Sequence, residues 1–88
     1  MNKKELIKQI KEVAQDKKIH LWSLDLQAQT TTILNRILYC LSVSDDILKK
    51  ALEKYSRKSP IHANNIKDYY KQSAYIRCGL YAYIQEAA

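Results

Sequence analysis

The sequence is short of glycine and proline. One of each occurs in 88 residues, far below the usual frequency of either residue. Because tight turns depend on these two residues, a chain with so few of them is expected to consist of long elements joined by few loops. A β-sheet protein of this length needs many turns, so the composition favours helices.

Motifs of the common enzyme classes are also absent. A single glycine excludes a P-loop and a dinucleotide-binding fingerprint, since both need several glycines where the backbone approaches phosphate. The Gly-x-Ser-x-Gly elbow of many hydrolases does not occur. No pair of acidic residues lies in an apolar segment that would separate their pKa values. We therefore expect a protein that is not an enzyme and that needs no cofactor.

Cysteine is scarce, with Cys40 and Cys78 alone and no Cys-x-x-Cys spacing. Together with His20 and His62 they could make up a Cys₂His₂ set, but intervals of about twenty residues provide no close pair of ligands to begin a site. We expect no metal and two free thiols. Cys78 falls on the outward side of its predicted helix, so we expect it to be an exposed, reactive thiol.

Long apolar runs are missing as well. The longest covers residues 37–41, whereas a membrane-spanning helix needs about 20 apolar residues. Lys8 and Lys11 interrupt any apolar segment that would follow the basic start as a secretory signal. The length suits one domain and not two. These observations predict a single cytoplasmic domain without a transmembrane segment.

Apolar residues recur at helical spacing in four stretches, which predict an all-α fold, a small four-helix bundle. The first helix covers residues 3–18 and the second 24–43, with Ser23 as its N-cap and Thr30 inside it. Trp22, in the connector before it, is predicted to fill the core. A third helix begins after Ser44, with acidic residues in its first turn.

The fourth helix has two candidate starting points. It begins either near Pro60, after the Ser59 cap, or near Ile66, and it continues to about residue 86. Its core stripe is expected to contain isoleucine, leucine and tyrosine side chains: Ile66, Tyr69, Ile76, Leu80 and Ile84.

A second stripe on this helix suggests a protein-binding surface. It consists of Tyr70, Ala74, Arg77 and Tyr81, and Tyr and Arg are enriched at binding hot spots. An Arg77–Tyr81 stack would give a flat contact patch. The stripe predicts a protein partner, or self-association, for a small inhibitor, regulator or assembly subunit. Alternatively, the fourth helix is the central helix, both stripes are buried, and Arg77 pairs with an acid inside the bundle.

Nucleic-acid binding is the alternative function. The chain carries 15 Lys and Arg residues against 9 Asp and Glu residues, a net charge of +6, which suits an anionic partner but also serves solubility. Two basic helix faces could contact phosphates, while a tyrosine stacks on a base. The candidate residues are Lys4, Lys8 and Lys11 on the first helix, and Lys67, Lys71 and Tyr75 on the fourth.

Overall fold

A computed structural model, which describes residues 2–21 and 24–88, confirms the all-α fold. Trp22 and Ser23, the predicted core residue and N-cap, lie outside the described residues. Six α-helices occur in the described part of the chain, together with 3₁₀ helices at Leu26–Ala28 and Tyr70–Gln72. The α-helices are α1 (Lys3–Lys17), α2 (Thr31–Ser42), α3 (Asp45–Lys58), α4 (Pro60–Ile66), α5 (Ala74–Gly79) and α6 (Tyr81–Ala87).

Short polar side chains determine where the longer helices begin. Asn2 caps α1 by accepting from the Glu5 N–H, and Ser44 caps α3 as predicted. The start predicted for the second helix is wrong, because α2 begins at Thr31 and Thr30 is its N-cap. The Thr30 hydroxyl accepts from the Ile33 N–H. Threonine suits a cap better than a helix interior, since its hydroxyl competes for backbone groups.

The predicted fourth helix is interrupted twice. A helix does start at Pro60, but it ends at Ile66, and a 3₁₀ turn follows before Ser73 caps α5. A further break at Leu80 separates α5 from α6. The structure therefore contains three short helices where one long helix was predicted, and the two predicted stripes do not run along a single axis.

A contact distant in sequence accounts for the first interruption. His20, in the connector after α1, forms an isolated parallel bridge with Ser73. The His20 N–H donates to the Gln72 carbonyl at 2.7 Å, and the Ala74 N–H donates to the His20 carbonyl at 3.0 Å. Buried backbone groups require such partners. The extended backbone around Ser73 therefore provides hydrogen-bond partners for the N–H and carbonyl of His20. In a continuous helix, the backbone groups of Gln72 and Ala74 would bond within the helix instead.

The core consists of two apolar clusters that meet at α2 and α5. The first contains α1, the Ile19 connector and one side of α2. The second contains side chains from α3, α4 and α6 together with Cys40 of α2. Cys78 of α5 packs against both clusters. Because α2 contributes to both, it joins the two halves of the molecule.

Candidate functional site

The stripe predicted to bind a protein partner is largely buried in the chain itself. Ala74 is fully buried, and Tyr70 and Arg77 retain only 6% and 2% of their surface. Tyr81 is half-buried. The prediction of an exposed contact surface at Tyr70, Ala74, Arg77 and Tyr81 is therefore wrong. Arg77 is buried, as the alternative predicted, but its hydrogen bonds go to backbone carbonyls, and the Asp45 carboxylate beside it is exposed.

Arg77 caps the C-terminal end of α2. Its Nη1 donates to the carbonyls of Cys40 and Leu41 at 3.3 and 3.4 Å, and its Nε donates to the Lys71 carbonyl at 2.8 Å. The last carbonyls of a helix lack donors within the helix and carry the negative end of its dipole. A guanidinium suits this position because it presents several N–H groups in one plane.

Two further charged groups surround this cap. The Lys17 Nζ donates to the Val43 carbonyl at 3.1 Å, and Asp45 Oδ1 lies 3.7 Å from Arg77 Nη2. Burial lowers the pKa of Arg77, while the Asp45 carboxylate opposes that change. Burial also lowers the pKa of Lys17, and the neighbouring Arg77 adds to the effect. Arg77 and Lys17 therefore have a structural role, because they donate hydrogen bonds to carbonyls at the C-terminal end of α2.

Tyr81 has a different arginine partner from the one predicted. The guanidinium of Arg36, on α2, lies over the Tyr81 ring at 4.5 Å from its centroid. Tyr39 meets the same ring edge-on, with the two centroids 6.0 Å apart. Tyr39 and Arg36 are exposed. The predicted Arg77–Tyr81 pair is therefore wrong: Tyr81 makes its cation–π contact with Arg36 of α2, on another helix.

The lysines of α1 remain on the surface. Lys4, Lys8 and Lys11 are exposed, and together with Lys3 they line a shallow groove of about 680 Å³ whose floor includes Ile7. Lys3 Nζ donates to the Gln27 carbonyl, which anchors one edge of the groove. The described residues that line it include no Asp or Glu. The predicted basic face of α1 therefore lies exposed along this groove.

The second predicted basic face is divided. Lys67 and Lys71 line a small depression that also contains the Asp68 side chain. Tyr75 lines a different groove and keeps 69% of its surface exposed. The interrupted helix places Tyr75 apart from the two lysines, so the structure does not bring these three residues to one pocket.

A second groove, of about 610 Å³, is lined by aromatic side chains. Tyr69 and Tyr75 line this groove, and 46% and 69% of their surfaces are exposed. The Tyr55 hydroxyl is hydrogen-bonded to His62 Nδ1 on one wall, and their rings meet edge-on. We call this feature the aromatic groove; its lining residues are Tyr55, His62, Ile66, Tyr69, Ser73, Tyr75, Ile76, Gly79 and Leu80.

Gly79 keeps part of this groove open. A Cβ atom built at this position would meet no heavy atom within 4 Å, and its φ is not positive. Neither backbone strain nor close packing therefore requires glycine there. A Cβ there would project into open space beside the groove that Gly79 lines. This groove was not predicted from the sequence, although an isolated glycine within a helical pattern was a signal of it.

The cysteine and histidine set does not assemble as a metal site. Among the described residues, no group of three or more Cys, His, Asp or Glu side chains is placed to hold a metal ion. Cys40 is buried, and Cys78 is half-buried against it. The prediction that Cys78 faces outward is therefore wrong, because α5 packs on α2 and places Cys78 against both apolar clusters.

The chain matches no protein-family model, no curated protein and no solved structure. Within residues 2–21 and 24–88, no helix combines the length and apolar character needed to cross a bilayer.

Proposed function

We propose that this protein is a non-enzymatic binding protein that acts by contact with another protein, as an inhibitor, a regulator or an assembly subunit does. The observation that carries this proposal is the aromatic groove, where Tyr69 and Tyr75 are exposed beside a concave apolar surface. Tyrosines that become buried at the centre of an interface contribute strongly to affinity. The groove thus replaces the buried Arg77 stripe as the proposed contact surface.

The groove favours a partner segment with an apolar side chain next to an acidic one. Its described lining residues include no Asp or Glu. Lys58 Nζ lies 5.9 Å from the Tyr83 ring centroid, and Tyr83 contacts Tyr55 on the groove wall. Lys58 is thus two ring contacts from the groove lining, and the chain as a whole is basic. Complementary charge at the rim would raise the association rate.

Filling the groove tests this proposal. Gly79→Leu adds a side chain where the structure has open space, so it should block the groove without disturbing the fold. Ala82→Leu is the matched control, because Ala82 is exposed on α6 and does not line the groove. Each tagged variant is mixed with nuclease-treated native lysate, and the proteins retained by the wild type are then purified and titrated.

We expect the Gly79→Leu substitution to weaken binding of the retained protein by about 1–3 kcal/mol, roughly 5- to 150-fold in Kd. The wild type and Ala82→Leu should bind equally. A partner that binds Gly79→Leu as tightly as the wild type would overturn the proposal. Sizing of the wild type over a concentration series distinguishes a second copy of the chain from a different protein.

A second candidate function, nucleic-acid binding, is favoured by the cationic groove of α1. Lys4, Lys8 and Lys11 are exposed and line the same groove, so a single nucleic-acid backbone could contact all three. Such contacts release counterions, so affinity falls steeply with salt concentration. An interface centred on tyrosines shows a much weaker dependence on salt.

A charge-matched pair of variants tests this second candidate. Lys4, Lys8 and Lys11 are replaced together by Glu, and the control replaces the exposed Lys18, Lys50 and Arg57 by Glu. If α1 binds duplex DNA, the first variant should lower the slope of log affinity against log salt by about 0.9 for each phosphate that is no longer neutralised. Equal slopes for the two variants would show that only net charge matters.

We also propose a cytoplasmic location. Both cysteines are free, which suits a reducing compartment. Fractionation of the cells that produce the protein checks this assignment.

A further inference from the structure

The two cysteines of the chain meet between α2 and α5. Cys40 is fully buried in the second apolar cluster, and the half-buried Cys78 packs against that cluster. They lie where α5 packs on α2, close enough for each thiol to change the pKa of the other. No Cys-x-x-Cys spacing connects them, so only the packing of α5 on α2 brings them together.

The surroundings of the two sulfurs differ. Interaction with the Cys40 thiol lowers the pKa of Cys78, and the positive charge of Arg36 acts in the same direction, although burial opposes both. The same interaction, together with burial, raises the pKa of Cys40 above its usual range. Because the thiolate is the reactive form, Cys78 is the better nucleophile. It is also the cysteine that solvent can reach.

We propose that Cys78 and Cys40 form a reversible redox pair, in which Cys78 attacks a low-molecular-weight disulfide and Cys40 resolves the product. A partly exposed cysteine beside a buried second cysteine in contact with it is the arrangement used by redox-sensing proteins. This site is independent of the aromatic groove, since neither cysteine lines it.

The reaction proceeds by two thiol–disulfide exchanges. The Cys78 Sγ thiolate forms a bond to one sulfur of RS–SR, the S–S bond of that reagent breaks, and RS⁻ leaves with the electron pair. Cys40 then releases its proton to solvent, its sulfur attacks Cys78 Sγ, and a second RS⁻ leaves. In total, two protein thiols are oxidised to one disulfide, and one external disulfide is reduced to two thiols.

The disulfide would covalently join α2 to α5. It would lie beside the hydrogen bonds from Arg77 to the last carbonyls of α2. Cys40 contributes one of the carbonyls that Arg77 caps, and Cys78 is the next residue after Arg77. Oxidation would therefore fix the position of α5 on α2. Reduction of the disulfide by an external dithiol would remove this covalent link.

Reaction of the full chain with oxidised glutathione tests the pair. After quenching with acid, intact-mass measurement should show that the wild type loses two hydrogen atoms and keeps no glutathione. Cys40→Ser should instead retain one glutathione on Cys78, because the resolving thiol is missing. Cys78→Ser should react at least about tenfold more slowly than the wild type, because Cys40 is buried.

Peptide mapping of the oxidised wild type provides a measurement that needs no variant, and it should identify a Cys40–Cys78 disulfide. Circular dichroism of both serine variants checks that they fold. A wild type that accumulates a lasting glutathione adduct, or a Cys78→Ser variant that reacts as fast as the wild type, would overturn the proposal.

Discussion

The guanidinium of Arg77 lies where several backbone carbonyls would otherwise lack a donor. An arginine in the middle of an apolar stripe must find partners, because burying an unpaired charge is costly. The partners are the carbonyls of Cys40, Leu41 and Lys71, with Asp45 at 3.7 Å. The same sequence pattern therefore fits a binding residue and a capping residue, and only the position of α2 distinguishes them.

Replacing Arg77 by Met should lower the free energy of unfolding by about 3 kcal/mol, since buried carbonyls left without donors cost about 1–3 kcal/mol each and relax only in part. Arg36→Met is the matched control. Arg36 is exposed, so its loss should cost no more than about 1 kcal/mol. Urea unfolding measures both values, and equal losses for the two variants would contradict the capping role.

Tyr70 predicts a loss of stability at alkaline pH. Burial, with the nearby carboxylates of Asp45 and Glu53, raises its pKa above the usual 10.0. Above about pH 10 the unfolded chain releases this proton more readily than the folded chain, so the free energy of unfolding falls as pH rises. Below the unfolded pKa, the contribution is fully present.

Tyr70→Phe removes this titration and keeps the ring. Its free energy of unfolding should therefore decline less between about pH 9 and pH 11 than that of the wild type, by about 1.4 kcal/mol for each unit by which folding raises the pKa. Urea unfolding at several pH values provides the test. The exposed Tyr75, changed to Phe, is the control and should leave the pH profile unchanged. Parallel profiles for the wild type and Tyr70→Phe would contradict the assignment.

The starting points of the helices are explained better by capping side chains than by the spacing of apolar residues. Thr30 and Ser73 were placed inside predicted helices, yet each accepts a hydrogen bond from the N–H three residues later and starts a helix. Ser and Thr can serve at a cap or in a helix interior. The choice at Ser73 depends on the bridge to His20, a contact between segments far apart in sequence.

Gly79→Ala should stabilise the protein. Gly79 is the last residue of α5, its φ is not positive, and a Cβ there meets nothing within 4 Å. Alanine reduces the entropy of the unfolded chain, so the melting temperature should rise, with a gain of about 0.4–1 kcal/mol. Ala82→Gly, at an exposed position of α6, is the reverse control and should cost a similar amount. A lower melting temperature for Gly79→Ala would contradict the open geometry.

Across the protein as a whole, the two apolar clusters depend on shared elements. Leu34 and Leu41 of α2 belong to the first cluster, while Cys40 of the same helix belongs to the second. Arg77 of α5 caps α2 from the other side. Loss of α2 would therefore expose both clusters together.

Unfolding in urea should consequently be a single transition. Far-ultraviolet circular dichroism, which follows the helices, and near-ultraviolet circular dichroism, which follows the tyrosines, should give the same midpoint. Leu34→Ala in the first cluster and Ile84→Ala in the second should each cost about 2–5 kcal/mol. Each substitution should shift both signals equally. Separate midpoints for the two signals would show that the clusters unfold independently.

The helical class, α1, α3 and the C-terminal part of α2 follow from the amino-acid sequence alone, whereas the start of α2 was placed too early. Scarce glycine and proline, apolar residues at helical spacing and the Ser44 cap are local properties, and local backbone energetics act on them whatever the rest of the chain does. The exposed lysines of α1 follow from the same periodicity, because the side opposite the apolar stripe faces solvent.

The last third of the chain, in contrast, depends on packing between distant segments. The pairing of His20 with Ser73 interrupts the predicted helix, buries Arg77 and leaves Tyr69 and Tyr75 at the aromatic groove. It also brings Cys78 to Cys40. Helical spacing shows which residues share a side only while the helix continues, and it carries no information about a bond between segments distant in sequence. The aromatic groove and the cysteine pair therefore could not be placed before the elements were packed together.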